Sequence, residues 1–177
     1  MGIVGGQADY REPIHLAWFA VRTRSRAEKV VADHLARKGL EVFLPLVSRW
    51  SRWKDRKKLV EWPLFAGYCF AKFDPGQQLV VLSLPGVLSI VSFASVLAPI
   101  PEEQIASLRT FVSSHLQYDP APFIRKGHRV EVVSGPLAGV VGRLVRKGQH
   151  ARLVLTIDLI KQAVSVEVDA ADVRSLE

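Results

Sequence analysis

The sequence predicts an α+β chain of two units: a mostly antiparallel four-stranded sheet flanked by helices, then a small closed β-barrel. Two observations carry this reading. Residues 16–116 alternate apolar strand-like runs with stretches of helical period, whereas the last 50 or so residues hold only short, valine-rich runs divided by glycine or polar turns. Between them QYDPAPFIRKG, with Pro120 and Pro122 flanking Ala121, lacks period and is expected to act as a semi-stiff linker. The expected boundaries are a flexible tail over 1–15, a first domain over 16–116, a linker over 117–123 and a barrel over 124–177.

In chain order, LAWFAV (16–21) reads as a buried strand. TRSRAEKVVADHLARKG reads as a helix opened by a capping box of Ser25 and Glu28 and stopped by Gly39. Ala27, Val30, Val31, His34 and Leu35 share one side of it, and Arg26, Lys29 and Arg37 fall largely away from that side. LEVFLPLV and LFAGYCFAKF read as the second and third strands, joined through basic residues as a long hairpin. QQLVVLSLPG reads as a short helix, GVLSIVSF as a fourth strand, and PEEQIASLRTFVSSHL as a helix with Pro101 at its start. HRVEVV, GVVGRLVR, ARLVLTIDLI, AVSVEV and DVRSL then supply five short strands, which suit a barrel because closure removes exposed edges.

Charge is distributed unevenly. Residues 22–58 hold twelve Lys/Arg against Glu28, Asp33, Glu41 and Asp55, a local +8 in a chain of net +7. An excess confined to one segment is the footprint of a polyanion site, where an even spread would mostly report solubility. Its densest part, RWSRWKDRKK, places Trp50 and Trp53 among Arg49, Arg52, Lys54, Arg56, Lys57 and Lys58. The two tryptophans either stack on bases or pack on the sheet while the cations reach outward.

Chemistry of other kinds has little support in the sequence. The five histidines are scattered without metal-ligand spacing, no phosphate-binding loop is present, and no Ser or Cys sits in a nucleophile signature, so neither enzyme activity, a cofactor nor a metal is expected. Cys69, the only cysteine, lies in the apolar run GYCFAKF and reads as core. Apolar stretches fall far short of the ~18 residues of a membrane span, which makes a cytoplasmic protein without membrane contact the expectation.

VVSGPLAGVVGRL, preceded by Gly127, resembles the KOW motif, and its Gly-rich turn is equally what barrel geometry alone requires. WFAVRTRSRAEKVVADHLARKGLEVFLPL, followed by PLFAGYCF, PGVLSIVSF and PIPEEQI, resembles the amino-terminal (NGN) domain of the NusG family, which precedes an SH3-like KOW barrel across a short linker. The resemblance spans 16–177. TRSRAEKVVADHL and RWSRWKDRKK bring it nearest to the RfaH-like and UpxY-like antiterminators.

The resemblance implies a transcription elongation and antitermination factor, acting as a monomer, that grips the clamp helices of the largest RNA polymerase subunit and suppresses pausing. Carried over by motif, Phe65, Tyr68, Phe93 and Ile105 would line the polymerase-binding cavity; the alternative is that all four are core. Arg24, Arg49, Arg52, Lys54, Arg56, Lys57 and Lys58 would face upstream duplex or non-template DNA. Leu159 and Ile160, at a turn of the barrel, would meet Rho or the ribosomal protein that doubles as NusE. The polar patch by which RfaH reads a specific DNA element is replaced here by QQLVVLS, with only Gln77 and Gln78 able to bond to bases. The barrel is expected to stay a barrel, since its valines and glycines oppose a helical alternative. A ribosome-associated RNA-binding KOW protein is the remaining reading; the barrel's net +3 makes it the weaker polyanion binder beside the hairpin.

Overall fold

The computed structural model describes residues 15–53, 56–121, 127–147 and 150–176. The expected tail lies outside these residues apart from His15, whose backbone N–H donates to Asp74 Oδ2 at 2.9 Å.

The first unit runs β1 (Ala17–Thr23), α1 (Glu28–Arg37), β2 (Glu41–Phe43), β3 (Leu46–Trp53), β4 (Arg56–Pro63), β5 (Tyr68–Phe73), α2 (Gln78–Leu82), β6 (Val87–Ile90), β7 (Ser92–Phe93), β8 (Val96–Leu97) and α3 (Glu102–Ser114). Its central sheet is antiparallel, in the order β2-β5-β1-β6. Side chains alternate across a strand, so the sheet divides its apolar residues between two faces. Phe19, Val21, Cys69, Ala71 and Phe73 pack with Val31 and Leu35 of α1 and Val81 of α2. Trp18, Ala20 and Phe70 point the other way, toward Ile105, Leu108 and Phe111 of α3.

Two local expectations change. The second strand breaks at Pro45 into β2, which stays in the sheet, and β3, which leaves it to pair with β4 as a separate two-stranded hairpin. The capping box does not form: Ala27 is the N-cap of α1, without a side-chain bond. Glu28 is buried, and its Oε1 accepts from Gly67 N–H at 2.7 Å, which ties the helix start to the turn before β5. The carboxylate is worth more there, satisfying a part-buried donor, than on its own helix. The helix end is as expected. Gly39 takes φ +78°, and Leu40 N–H and Gly39 N–H reach Leu35 O and Ala36 O, the paired bonds of a Schellman cap.

Cys69 is fully buried. Desolvation, with the Glu28 carboxylate adding to it, pushes its thiol from the ordinary 9.0 up to about 12. A raised acid pKa means that the unfolded thiol ionises first, so stability present below pH 9.0 is lost progressively as pH rises toward about 12. Urea unfolding at pH 8 and pH 11 is expected to show a smaller drop between the two for Cys69→Ala than for the wild type, and thiol reagents to label native Cys69 only on unfolding.

The second unit contains β9 (Tyr118–Ala121), β10 (His128–Val132), β11 (Val141–Lys147), β12 (His150–Ile157), β13 (Gln162–Val168) and β14 (Val173–Ser175), ordered β14-β10-β11-β12-β13-β9. The last strand returns to pair with β10, so the six strands form one antiparallel sheet whose ends are β14 and β9. Val130, Val132, Leu153, Leu155, Val164 and Val166 belong to its buried cluster. Part of the expected linker is therefore sheet: Tyr118–Ala121 pairs with β13, and Arg152 of β12 donates to Asp119. As the outermost strand β9 tolerates Pro120, which has no N–H to give to a ladder.

The two units share a core. One apolar cluster runs from Trp18, Phe65 and Phe70 through α3 into the interior of the barrel.

Candidate protein- and nucleic-acid-binding surfaces

Helix α3 lies between the sheet and the barrel and is fixed to both. Its first residue, Glu102, accepts from Trp18 Nε1 and from Lys72 Nζ, each at 3.0 Å. The Lys72 hydrogen bond first, then that of Trp18, holds the Glu102 carboxyl below its ordinary range. Two turns farther along, Arg109 lies over the rings of Trp18 and Phe43 at 5.1 and 5.3 Å and bonds Glu41 at 2.8 Å.

On the barrel side, Val141 N–H of β11 donates to Ser107 Oγ at 3.0 Å. Arg129 of β10 reaches both carboxylate oxygens of Glu103, with Oε2 at 2.7 Å. A cavity of about 410 Å³ remains between α3 and the barrel, lined among others by Gln104, Ser107, Arg143, Thr156 and Asp158. Ser107 is buried although it is a polar residue on an amphipathic helix, because the barrel covers it.

The four residues expected at the polymerase cavity separate. Phe65 and Ile105 are each 1% exposed inside the shared cluster, and Tyr68 is half-buried against it. Phe93 is 82% exposed, at the base of the two-residue β7–β8 turn whose Ala94 and Ser95 take φ +47° and +66°. The strand that carries Phe93 has left the central sheet, so the ring has no layer to pack on. On the barrel, Leu159 packs against the shared cluster and Ile160 is buried within it. Their turn follows Thr156 and starts with Asp158, both of which line the cavity beside α3.

The basic segment forms the β3–β4 hairpin, with Trp50 opposite Leu59, Arg52 opposite Lys57, Ser51 opposite Lys58 and Val47 opposite Trp62. Alternation puts Trp50 and Trp62 on opposite faces, so they make no shared aromatic platform. Trp50 is 70% exposed, and Lys57 and Lys58 are exposed with it. Arg24 is exposed near the start of α1. Lys54 and the side chains of Arg52, Trp53 and Arg56 lie outside the described residues. Arg49 is engaged: its Nε and Nη2 donate to the Tyr118 hydroxyl at 3.0 and 2.6 Å.

Sequence reasoning missed Ser107, Glu103, Arg129 and Tyr118. Each contact joins residues 26 to 69 positions apart, and no local period encodes such a pairing. The one available signal was Ser107 interrupting the apolar side of α3.

A profile described as transcription termination factor nusG matches residues 16–109, more than half of the chain and the whole of the layer from β1 into α3. The chain belongs to the NusG family. Among curated relatives, NusG of Helicobacter pylori strain J99, named a transcription termination/antitermination protein, is 26% identical over 168 residues, covering 85% of this chain and 93% of the relative. NusG of Thermus thermophilus is 25% identical over 180 residues, covering 89% and 97%. A solved structure of Thermotoga maritima NusG, described as a domain interaction, superposes with a TM-score of 0.53 at 18% identity and covers 92% of this chain and 98% of that one. These matches extend past the profile, so the NusG likeness includes the barrel. Among the described residues no group of three or more His, Cys, Asp or Glu could hold a metal ion, and no helix is long and apolar enough to cross a membrane.

Proposed function

We propose that this NusG-family protein is a non-enzymatic transcription elongation and antitermination factor of the cytoplasm, and that the sheet-and-α3 face carrying Phe65, Tyr68 and Ile105 receives the clamp helices of RNA polymerase. The β3–β4 hairpin contacts upstream or non-template DNA through Lys57, Lys58 and their neighbours, and the Asp158–Ile160 turn of the barrel receives Rho or the NusE ribosomal protein. One observation carries the reading: aromatic and aliphatic side chains on this face are buried by a second unit that also rests on polar contacts at Ser107 and Glu103. An apolar face closed by a separable domain suits a helix-binding surface that is opened for its partner.

Tyr68→Ala tests the polymerase site. It is expected to lose pull-down of RNA polymerase while remaining folded by circular dichroism, and retention at the wild-type level would remove the face from the interaction. On the hairpin, reversing Lys57 and Lys58 to Glu is expected to weaken duplex binding and to flatten the log-log salt slope by about 2, since each neutralised phosphate contributes about 0.9. An unaltered slope would take the hairpin off DNA.

A further inference from the structure

Arg49 stands at the junction of the basic hairpin and the barrel. It sits on β3, and its two donors converge on the hydroxyl of Tyr118, the first residue of barrel strand β9. Its guanidinium carbon lies 5.2 Å from the centroid of the same ring. That ring in turn meets Phe111 of α3 edge-on, at 5.8 Å and 89°. Tyr118 is held in the barrel by pairing with Val166, so the Arg49 contact is a third hairpin-side or helix-side attachment of the barrel, beside Ser107 and Glu103. Beneath it lies a cleft of about 350 Å³ lined by Val47, Glu61, Phe111, His115 and Tyr118, among others.

The partner chosen by Arg49 is a neutral phenol, although the arginine is exposed and belongs to the chain's most basic segment. A phosphate accepts from a guanidinium through two charge-assisted bonds and outcompetes a neutral hydroxyl. Tyr118 takes the Nε and Nη2 donors, an edge that offers a phosphate two parallel bonds, so a phosphate that docks on that edge displaces the hydroxyl.

We propose that Arg49 is a polyanion-released latch: phosphate of a nucleic acid bound along the hairpin takes the guanidinium from Tyr118 and loosens the barrel from α3. The inference rests on the hairpin being a nucleic-acid site and adds a regulatory link to it. Linkage makes the effect reciprocal, so opening the barrel raises nucleic-acid affinity by the same factor as nucleic acid raises opening. DNA contact thus primes exposure of Phe65 and Ile105, and the polymerase-binding face becomes available where upstream DNA is also present.

The full chain and a 20-base-pair DNA duplex at low salt provide the test, with hydrogen exchange of the Val141 amide as the reporter because that N–H bonds across to Ser107. Saturating duplex is expected to speed Val141 exchange about fivefold, a coupling at the low end of the usual range, while amides within the β12–β13 ladder stay protected. Arg49→Ala is expected to exchange faster without DNA and to gain nothing from it. Tyr118→Phe keeps the ring on Phe111 but removes the acceptor; it is expected to bind the duplex about threefold more tightly, as linkage requires. Lys57→Ala with Lys58→Ala weakens binding yet reaches the same opening at saturation.

Two results overturn the proposal differently. Duplex that binds through Lys57 and Lys58 but leaves Val141 exchange unchanged, or opens Arg49→Ala as fully as wild type, removes the latch and leaves the hairpin reading intact. Duplex that fails to bind, or binds regardless of Lys57 and Lys58, removes the hairpin reading and the latch with it.

Discussion

Ser107→Arg is expected to bind RNA polymerase about tenfold more tightly than the wild type, within the 5–150-fold span usual for coupled sites. Ser107 lies on the barrel side of α3, and its Oγ receives Val141 N–H at 3.0 Å. An arginine there removes the Oγ that accepts from Val141 N–H and adds a cation to a cavity already lined by Arg129 and Arg143, so docking of the barrel is weakened. Lifting costs the protein its interdomain contacts but not its folded units, because the sheets of the two units share no strand. On the proposed reading the gain arises because the wild type would expend part of its polymerase-binding energy on undocking, and a population that is already open would not. A fluorescence titration with polymerase, alongside circular dichroism to confirm retained structure, reads both parts. Equal affinities in a variant shown to be open would mean that the barrel covers nothing polymerase needs.

Gly142→Ala is expected to destabilise the barrel by about 3 kcal/mol, the upper end for an extra methyl group in a packed interior. A Cβ built there would stand 2.8 Å from the carbonyl oxygen of Val154 and 3.0 Å from the terminal methyls of Leu153 and Leu155. The two leucines can turn, but the oxygen is backbone of the neighbouring strand β12 and cannot move without breaking the β11–β12 ladder. The contrast is Gly135→Ala. No atom lies within 4 Å of its added methyl, and its cost is confined to the φ of +78°, about 1 kcal/mol by the usual left-handed penalty. Denaturant unfolding of the two variants separates crowding from backbone strain; equal losses would mean that β11 and β12 are not packed as closely as described.

Much of the architecture was legible because it is written in periods. LAWFAV reads as a buried strand from its unbroken apolar run, and the structure divides it between two layers, Phe19 and Val21 on one and Trp18 and Ala20 on the other. The Gly39 stop and the five valine-rich strands are equally local signals. Local logic fails where a residue has a better distant partner. Glu28 satisfies Gly67 instead of its own helix, and Tyr118, in a segment that reads as linker, completes an edge strand and holds Arg49.

The proposed binding surfaces are legible as residue types and not as an arrangement. Phe65, Tyr68 and Ile105 do converge on one cluster, but Phe93 stands outside it, and nothing in the sequence signals that the barrel would close over the rest. Burial of this kind depends on two surfaces meeting across separate units. Each half, read alone, is an ordinary core.

The ion pair between Glu103 and Arg129 offers the most direct measurement, because it joins α3 to the barrel and each partner is about half exposed. Polymerase affinity can be measured for Glu103→Arg, Arg129→Glu and the double reversal. Each single reversal sets like charges against each other and opens the barrel; the double restores attraction with the signs exchanged. If the barrel covers the polymerase-binding face, both single variants bind more tightly than wild type and the double variant returns to wild-type affinity. Four equal affinities, or single variants that bind more weakly and are not rescued in the double, would contradict it.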